Sequence, residues 1–342
     1  MSDALAAHVT LSDALARAHA HWDAGQAAQA EQWCRRVLAA SPAQPDALHL
    51  LGLMAHAYGK LDTAIECLSA ACDAPRVPAA YAANLAEMCR QKGLLERAET
   101  AARQAVALDP ALAAGWNNLG IVLQEAGKID ESRACLERVV ELLPDSSDAH
   151  NNLGNTLRRQ QRLDLAETHY RRALALDHGH AQAHSNLAFL LSARGHYDEA
   201  AGEARAAIDL DPRLVEAYLN LADVEASRHR HDAALRALDM LHAFAPNHPA
   251  ERIARAKTLL RMQRVDAALA CARDAVTLAP HRADAHDALA RALHALGHTD
   301  DAAAAYRHAA QLPGTVRDAA LSGLAALLDE AGGRESPTEA TR

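Results

Sequence analysis

The chain has 342 residues, ample for a sizeable core, yet only 3 % of them are aromatic, which is low for one compact globular domain. Its formal net charge of −9 argues against a general binder of nucleic acid or anionic membrane. No stretch approaches the ~18 apolar residues of a membrane span, and Met1 to Trp22 lack the basic patch and apolar run of a secretory signal. The expectation is a cytoplasmic protein with neither nucleic-acid nor membrane partners. Alanine and leucine dominate, which suits closely packed helices. The six cysteines (Cys34, Cys67, Cys72, Cys89, Cys135, Cys271) form no C-x-x-C pair and read as reduced core thiols.

Residues 1–10 read as an N-terminal segment. From Leu11 the chain repeats with a period of 34 residues, the length of a helix–turn–helix solenoid unit. Nine units begin at Leu11, Pro45, Ala79, Ala113, Ser147, Ala181, Val215, Pro249 and Ala283. Their eighth position is always small (Ala18, Gly52, Ala86, Gly120, Gly154, Ala188, Ala222, Ala256, Ala290), and so is their twentieth, from Ala30 to Ala302. Two helices approach closely only where side chains are minimal, so these columns mark the helix crossings. Glycines midway (Gly25, Gly59, Gly93, Gly127, Gly195, Gly297) mark the turn inside a unit. Prolines at Pro42, Pro110, Pro144, Pro212, Pro246 and Pro280 end the second helix. The units are expected to span 11–316. A capping helix over 317–331, with Val316, Ala320, Leu324 and Leu327 on one side, covers the last apolar face. A disordered tail, 332–342, follows.

The segment Gly115-Trp116-Asn117-Asn118-Leu119-Gly120, with Pro144 closing its unit, resembles a tetratricopeptide repeat, and the resemblance runs from about Leu11 to Gly314. It implies an all-α fold: a right-handed α-solenoid superhelix of about nine helix–turn–helix units plus a C-terminal capping helix. The first helix of each unit would line the concave side.

The sixth position of units three to seven is asparagine throughout: Asn84, Asn118, Asn152, Asn186 and Asn220. Asn117 and Asn151 widen the column. Such a column is similar to that in the repeats of protein O-linked N-acetylglucosamine transferases, where the resemblance implies that asparagines grip a peptide backbone. A carboxamide carries both donor and acceptor, so it can pair with a peptide N–H and C=O. The alternative is that these asparagines only support contacts between units. Five such contacts at about 1 kcal/mol each give weak, sequence-tolerant binding. Phe189, at the ninth position, is either a side-chain anchor for the peptide or a packing residue, and Ile121 occupies the equivalent place two units earlier.

Other chemistries fare worse. A carboxylate clamp, as in co-chaperone repeats, needs lysines and arginines in the groove, but the fifth positions are Leu15, His49, Ala83, Asn117, Asn151, Ser185, Leu219, Ile253 and Asp287. Unit eight places Arg252 and Arg255 where bulky apolar groups belong, with Lys257, Arg261 and Arg264 nearby. This is either a rotated helix with arginines reaching solvent or a basic patch for an acidic partner. The cluster His178, His180 and His184 lacks a visible cysteine or carboxylate to complete a metal site, and the amphipathic rings of its column read as filler. No phosphate loop, nucleophile elbow or H-E-x-x-H helix appears. The expectation is a protein-interaction scaffold, not an enzyme, without cofactor or metal, binding extended segments of other proteins. The alternative is a targeting subunit with a glycosyltransferase as partner on another chain. A third expectation is an architectural role through self-association of the solenoid ends.

Overall fold

The computed structural model describes residues 9–313 and 316–333, the last four of them by backbone alone. The expectations placed on 1–8, on 314–315 and on 334–342 lie outside the described residues. Among the described residues there are nineteen helices and no strand. Eighteen form pairs: α1 (Leu11–Asp23) with α2 (Ala27–Ala40), α3 (Pro45–Ala57) with α4 (Leu61–Cys72), α5 (Ala79–Gln91) with α6 (Leu95–Leu108), α7 (Ala113–Glu125) with α8 (Ile129–Leu142), and α9 (Ser147–Arg159) with α10 (Leu163–Leu176). Then come α11 (Ala181–Ala193) with α12 (Tyr197–Leu210), α13 (Val215–Ser227) with α14 (His231–Phe244), α15 (Pro249–Arg261) with α16 (Val265–Leu278), and α17 (Ala283–Ala295) with α18 (Thr299–Gln311). The last helix, α19, spans Arg317–Gly333. Every first helix starts at the residue where its sequence unit starts.

The turn inside each pair needs one residue in the left-handed region, so that the helix can end with its carbonyls satisfied. Glycine takes that place in six units, with φ between 71° and 80°. Units five, seven and eight carry Gln161, His229 and Gln263 there, at φ of 59–60°, where a Cβ is unfavourable. Start signals vary: Thr10 and Ser146 accept from the amides of Asp13 and Ala149, and Pro45 and Pro249 open their helices at the first position.

The eighth-position column sets how closely partners approach. A Cβ on Gly52 or Gly120 would lie 2.7 Å from Cγ of Leu68 or Leu136, and one on Gly154 would lie 2.7 Å from the Tyr170 ring. In the other six units the eighth position is alanine, whether the residue at the corresponding place of the second helix is small (Ala102, Ala204, Ala272) or large (Leu238, Tyr306). Ser132, the one non-alanine of the twentieth column, donates its hydroxyl to the Gly120 carbonyl at 2.7 Å.

In units four to nine the fourth position of the first helix braces the loop behind it. Trp116, His150, His184, Tyr218, Arg252 and His286 each place a ring nitrogen, hydroxyl or guanidinium within 2.8–3.4 Å of the carbonyl six residues earlier. These rings therefore have a shared role in closing the junction between units.

The chain divides into two compact units, Met1–Leu176 and Asp177–Arg342. In the first, α1–α10 stack pair upon pair as a solenoid, with one apolar cluster joining Leu68, Leu85, Cys89, Leu119 and Leu123. The second stacks α11–α18 in the same way. Against its last pair α19 lays Ala320, Leu324 and Leu327 onto Leu293 and Tyr306, and Gly323 lets the Tyr306 ring come close. The cysteines are free, and three of them, Cys34, Cys89 and Cys135, are buried. Burial pushes the thiols of Cys34, Cys72 and Cys135 up to about 11, which leaves little thiolate to react.

Candidate peptide-binding face

The sixth-position asparagines lie on the first helices, half-buried, and four of them reach back to the fifth position of the preceding unit, 35 residues earlier. Asn118 donates through Nδ2 to the Ala83 carbonyl at 2.9 Å. Asn152 donates to Oδ1 of Asn117 at 2.9 Å. Asn220 donates to the carbonyl of Ser185 at 2.9 Å and is 3.0 Å from its hydroxyl. Asn84 places Nδ2 2.9 Å from Nε2 of His49. The column thus ties first helix to first helix within each compact unit. Adjacent positions five and six bring this about: a side chain at six points across to the neighbouring helix, where the residue at five presents its carbonyl or side chain.

One N–H of each amide is therefore engaged inside the protein, and the expectation of a carboxamide wholly available to a peptide needs correction. What Asn84, Asn118 and Asn152 retain is Oδ1 and the second N–H, held in a fixed orientation, whereas Asn220 turns Nδ2 to both the carbonyl and the hydroxyl of Ser185 and retains Oδ1. Two further residues are taken out of reach or partly engaged. Asn151 is only 4 % exposed and does not widen an accessible ladder. Asn186 accepts from Gln182 Nε2 at a long 3.4 Å. Asn155, at the ninth position of its unit, accepts from the Tyr170 hydroxyl at 2.8 Å. Phe189 is 47 % exposed, whereas Ile121 is half-buried.

His49 belongs to the first rung. Burial, with the nearby His19, pushes its imidazole down to about 4, against a partial pull upward from Asp46. Its ring stacks on Tyr81 at 3.8 Å between centroids, and the Tyr81 hydroxyl donates to Asp46. A neutral His49 can accept the Asn84 N–H at Nε2.

Unit eight differs from both expectations held for it. Arg255 bonds Glu251 at 2.6 Å and Asp239 at 2.8 Å, and Arg252 lies 3.5 Å from Glu251. Glu251 is fully buried, so these arginines turn toward an acid and keep only partial exposure, 23 % for Arg252 and 18 % for Arg255. Arg228 and Arg230 likewise flank the buried Glu225, and Arg291 holds the buried Asp287 at 2.8 Å. An uncompensated buried carboxylate is costly, which is why each has a cationic neighbour. Sequence reading missed the acids, although the columns carried the signal. Glu251 stands where most units have alanine or glycine, and Glu225 where most have leucine. Lys257 and Arg261 are the exposed cations of α15 that make no ion pair. Between α13 and α15 lies a cavity of about 210 Å³ whose wall includes Leu219, Ile253, Ala254, Lys257 and Arg261.

The histidine cluster is structural. His180 caps α11, accepting from the Ala183 amide at 3.3 Å, while His184 braces the His178 carbonyl and pairs with Glu203 at 2.5 Å. The carboxylate partner that sequence reading could not find is Glu203, one repeat helix away. Among the described residues no group of three or more histidines, cysteines or acids is arranged to hold a metal. Among them, too, no helix is long and apolar enough to cross a membrane.

Comparison with known proteins reaches the repeat family and the fold. Among solved structures, the Cut9–Hcn1 hetero-tetramer of the APC/C aligns with TM-score 0.63 at 16 % identity over 82 % of this chain and 54 % of that one. The chain thus spans about half the length of that protein. A tetratricopeptide repeat protein from Parabacteroides merdae ATCC 43184 aligns with TM-score 0.62 at 19 % identity, covering 73 % of this chain and 98 % of that one. Yeast Tom70 aligns with TM-score 0.57 at 13 % identity, covering 97 % and 91 %. No curated protein matches the sequence, and none of these names carries a glycosyltransferase. Profiles described as tetratricopeptide repeat match residues 15–76, 59–113, 111–177, 145–213, 186–249 and 253–315. Together they run through most of the chain, and the chain belongs to the tetratricopeptide repeat family.

Proposed function

We propose that this protein is a non-catalytic interaction scaffold that captures extended segments of other proteins on the faces that the first helices make within each compact unit. The observation that carries the reading is the row of half-buried carboxamides, four of which are fixed by a bond to the preceding helix. A rigid amide loses little freedom when a ligand arrives, so its Oδ1 and any remaining N–H meet a peptide backbone at low ordering cost. With at least one donor of each of these four already engaged, each contact contributes about 1 kcal/mol at most, and affinity from the backbone alone is micromolar or weaker. Phe189, exposed on α11, supplies apolar contact beside Asn186. Only tetratricopeptide repeats are matched along the chain, consistent with a role in holding partners rather than transforming them.

The test is capture of partner proteins from a lysate by the wild type and by N118A/N152A/N220A, with helicity followed by circular dichroism. Loss of capture at unchanged helicity supports the reading, and undiminished capture contradicts it.

A further inference from the structure

The ladder stops at a defined place, and something opens there. At the junction of α11 and α13, Asn220 crosses to Ser185. At the next junction the sixth position is Ala254 and the fifth is Leu219, so no side chain crosses. In unit two the same position is filled by Leu50, 1 % exposed. Ala254 fills nothing, and the cavity of about 210 Å³ between α13 and α15 occupies the missing side chain's place. Its floor is apolar, with Ala222 and Ile253 buried and Leu219 half-buried. For scale, an apolar cavity of roughly 150 Å³ is enough to take up benzene.

The rim is charged and asymmetric. Lys257 and Arg261, one turn apart on α15, line it and make no ion pair. Asp284 also lines it, but is held by Arg282 through two bonds of 3.0 and 2.6 Å. Asp223 stands on the α13 side. Lys257 also acts on Asp284 through space; counting Arg282, three cations meet two carboxylates, a surplus of one positive charge.

We infer that this cavity is a side-chain socket for a partner segment carrying a bulky aliphatic or aromatic residue next to an aspartate or glutamate. The apolar side chain enters the space left by Ala254, and the neighbouring carboxylate meets Lys257 and Arg261. Asp223 repels a carboxylate on its own side, so the order of the two residues along the segment matters. The inference deepens the proposed function and rests on it for the seating of the backbone. It adds what the amide ladder lacks, selection by side chain.

Fluorescence anisotropy with four labelled, acetylated nonapeptides tests it, each a Gly-Ser chain with a central Asp-Leu, Leu-Asp, Asp-Ala or Lys-Leu pair. One of the two orders of Asp and Leu should bind at least tenfold more tightly than the Ala and Lys probes. A254N, whose carboxamide can fill the cavity and cross to Leu219, should erase the preference for leucine. The surface change K257E should erase or invert the preference for aspartate, and it leaves the packing alone. Equal binding of all four probes by the wild type, including no binding at all, overturns the socket, as does a leucine preference that survives A254N. N186A/N220A separates the two ideas. A uniform drop for all probes with the leucine preference intact supports both, whereas no drop with that preference intact removes the ladder and keeps the socket.

Discussion

Asn220 donates through a single amide nitrogen to the main-chain carbonyl of Ser185 at 2.9 Å and lies 3.0 Å from the same serine's hydroxyl. The two residues are 35 positions apart and sit on consecutive first helices, α13 and α11. One carboxamide therefore does for the solenoid what a ladder bond does for a sheet: it fixes the spacing of neighbouring units through the backbone of one of them. The same residue type then serves two ends, holding the stack and presenting a fixed polar edge.

Removing that bridge has a readable cost. N220A leaves a half-buried carbonyl without its partner and should lower stability by about 1–2 kcal/mol. S185A removes only the hydroxyl contact and should cost about 0.5 kcal/mol or less. Urea unfolding of both variants and of the double mutant checks this, and a coupling near zero would show that the 3.0 Å contact contributes nothing.

The turns of units five and eight offer the opposite sign. Gln161 and Gln263 occupy left-handed backbone at φ of 60° and 59°, a place where glycine avoids a Cβ penalty of about 1 kcal/mol. Q161G and Q263G should each raise stability by about 0.5–1 kcal/mol, part of the gain being offset by the freedom glycine adds to the unfolded chain. Thermal unfolding measures it, and a lower midpoint in either variant would contradict the assignment.

Gly154 makes a prediction whose sign depends on its neighbour. Its Cβ position is 2.7 Å from the buried Tyr170 ring, so G154A should destabilise by about 1–3 kcal/mol through overpacking. In a Y170A background the clash is gone, and the same substitution should become neutral or favourable by up to about 1 kcal/mol, the helix preference for alanine over glycine. A cycle of four proteins in denaturant tests the reversal.

Acid should weaken the first rung. The unfolded chain takes up a proton at His49 as pH falls through its ordinary 6.5, while the folded chain resists until about 4. This group therefore subtracts stability as pH drops across that window and nothing further below it. Allowing for solvent screening of a partly exposed ring, the loss is about 1–2 kcal/mol. The pH dependence of urea midpoints for wild type and H49Q should diverge between pH 6.5 and 4. Titration of His49 itself near 6.5 in the folded protein would refute it.

Much of the fold was written in the sequence because a repeat states the same physics nine times. Each small eighth position and each midway turn residue had eight others to confirm its register. The glycine turn was legible for that reason; in the three units the glycine column skips, the structure shows Gln161, His229 and Gln263 keeping the same backbone conformation. The site was legible only in part. That asparagines share a column is a property of one helix, but what their N–H groups touch depends on the next helix over, which spacing does not encode. The arginines of α15 misled for a related reason: they stand where apolar groups belong, and of the acids that draw them in, Glu251 showed only as an odd residue in a small-residue column and Asp239 lies on the neighbouring helix. The socket beside Ala254 is a missing side chain, which a sequence records as one more alanine among many.

The most direct test of the peptide-binding face is to follow the side-chain amide signals of Asn118, Asn152 and Asn220 by ¹H–¹⁵N NMR while an unbiased pool of extended peptides is titrated in. The account predicts that these carboxamide signals move in a saturable way while the signals of second-helix residues stay fixed. Saturable shifts confined to the second helices, with the three amides unmoved, would contradict it.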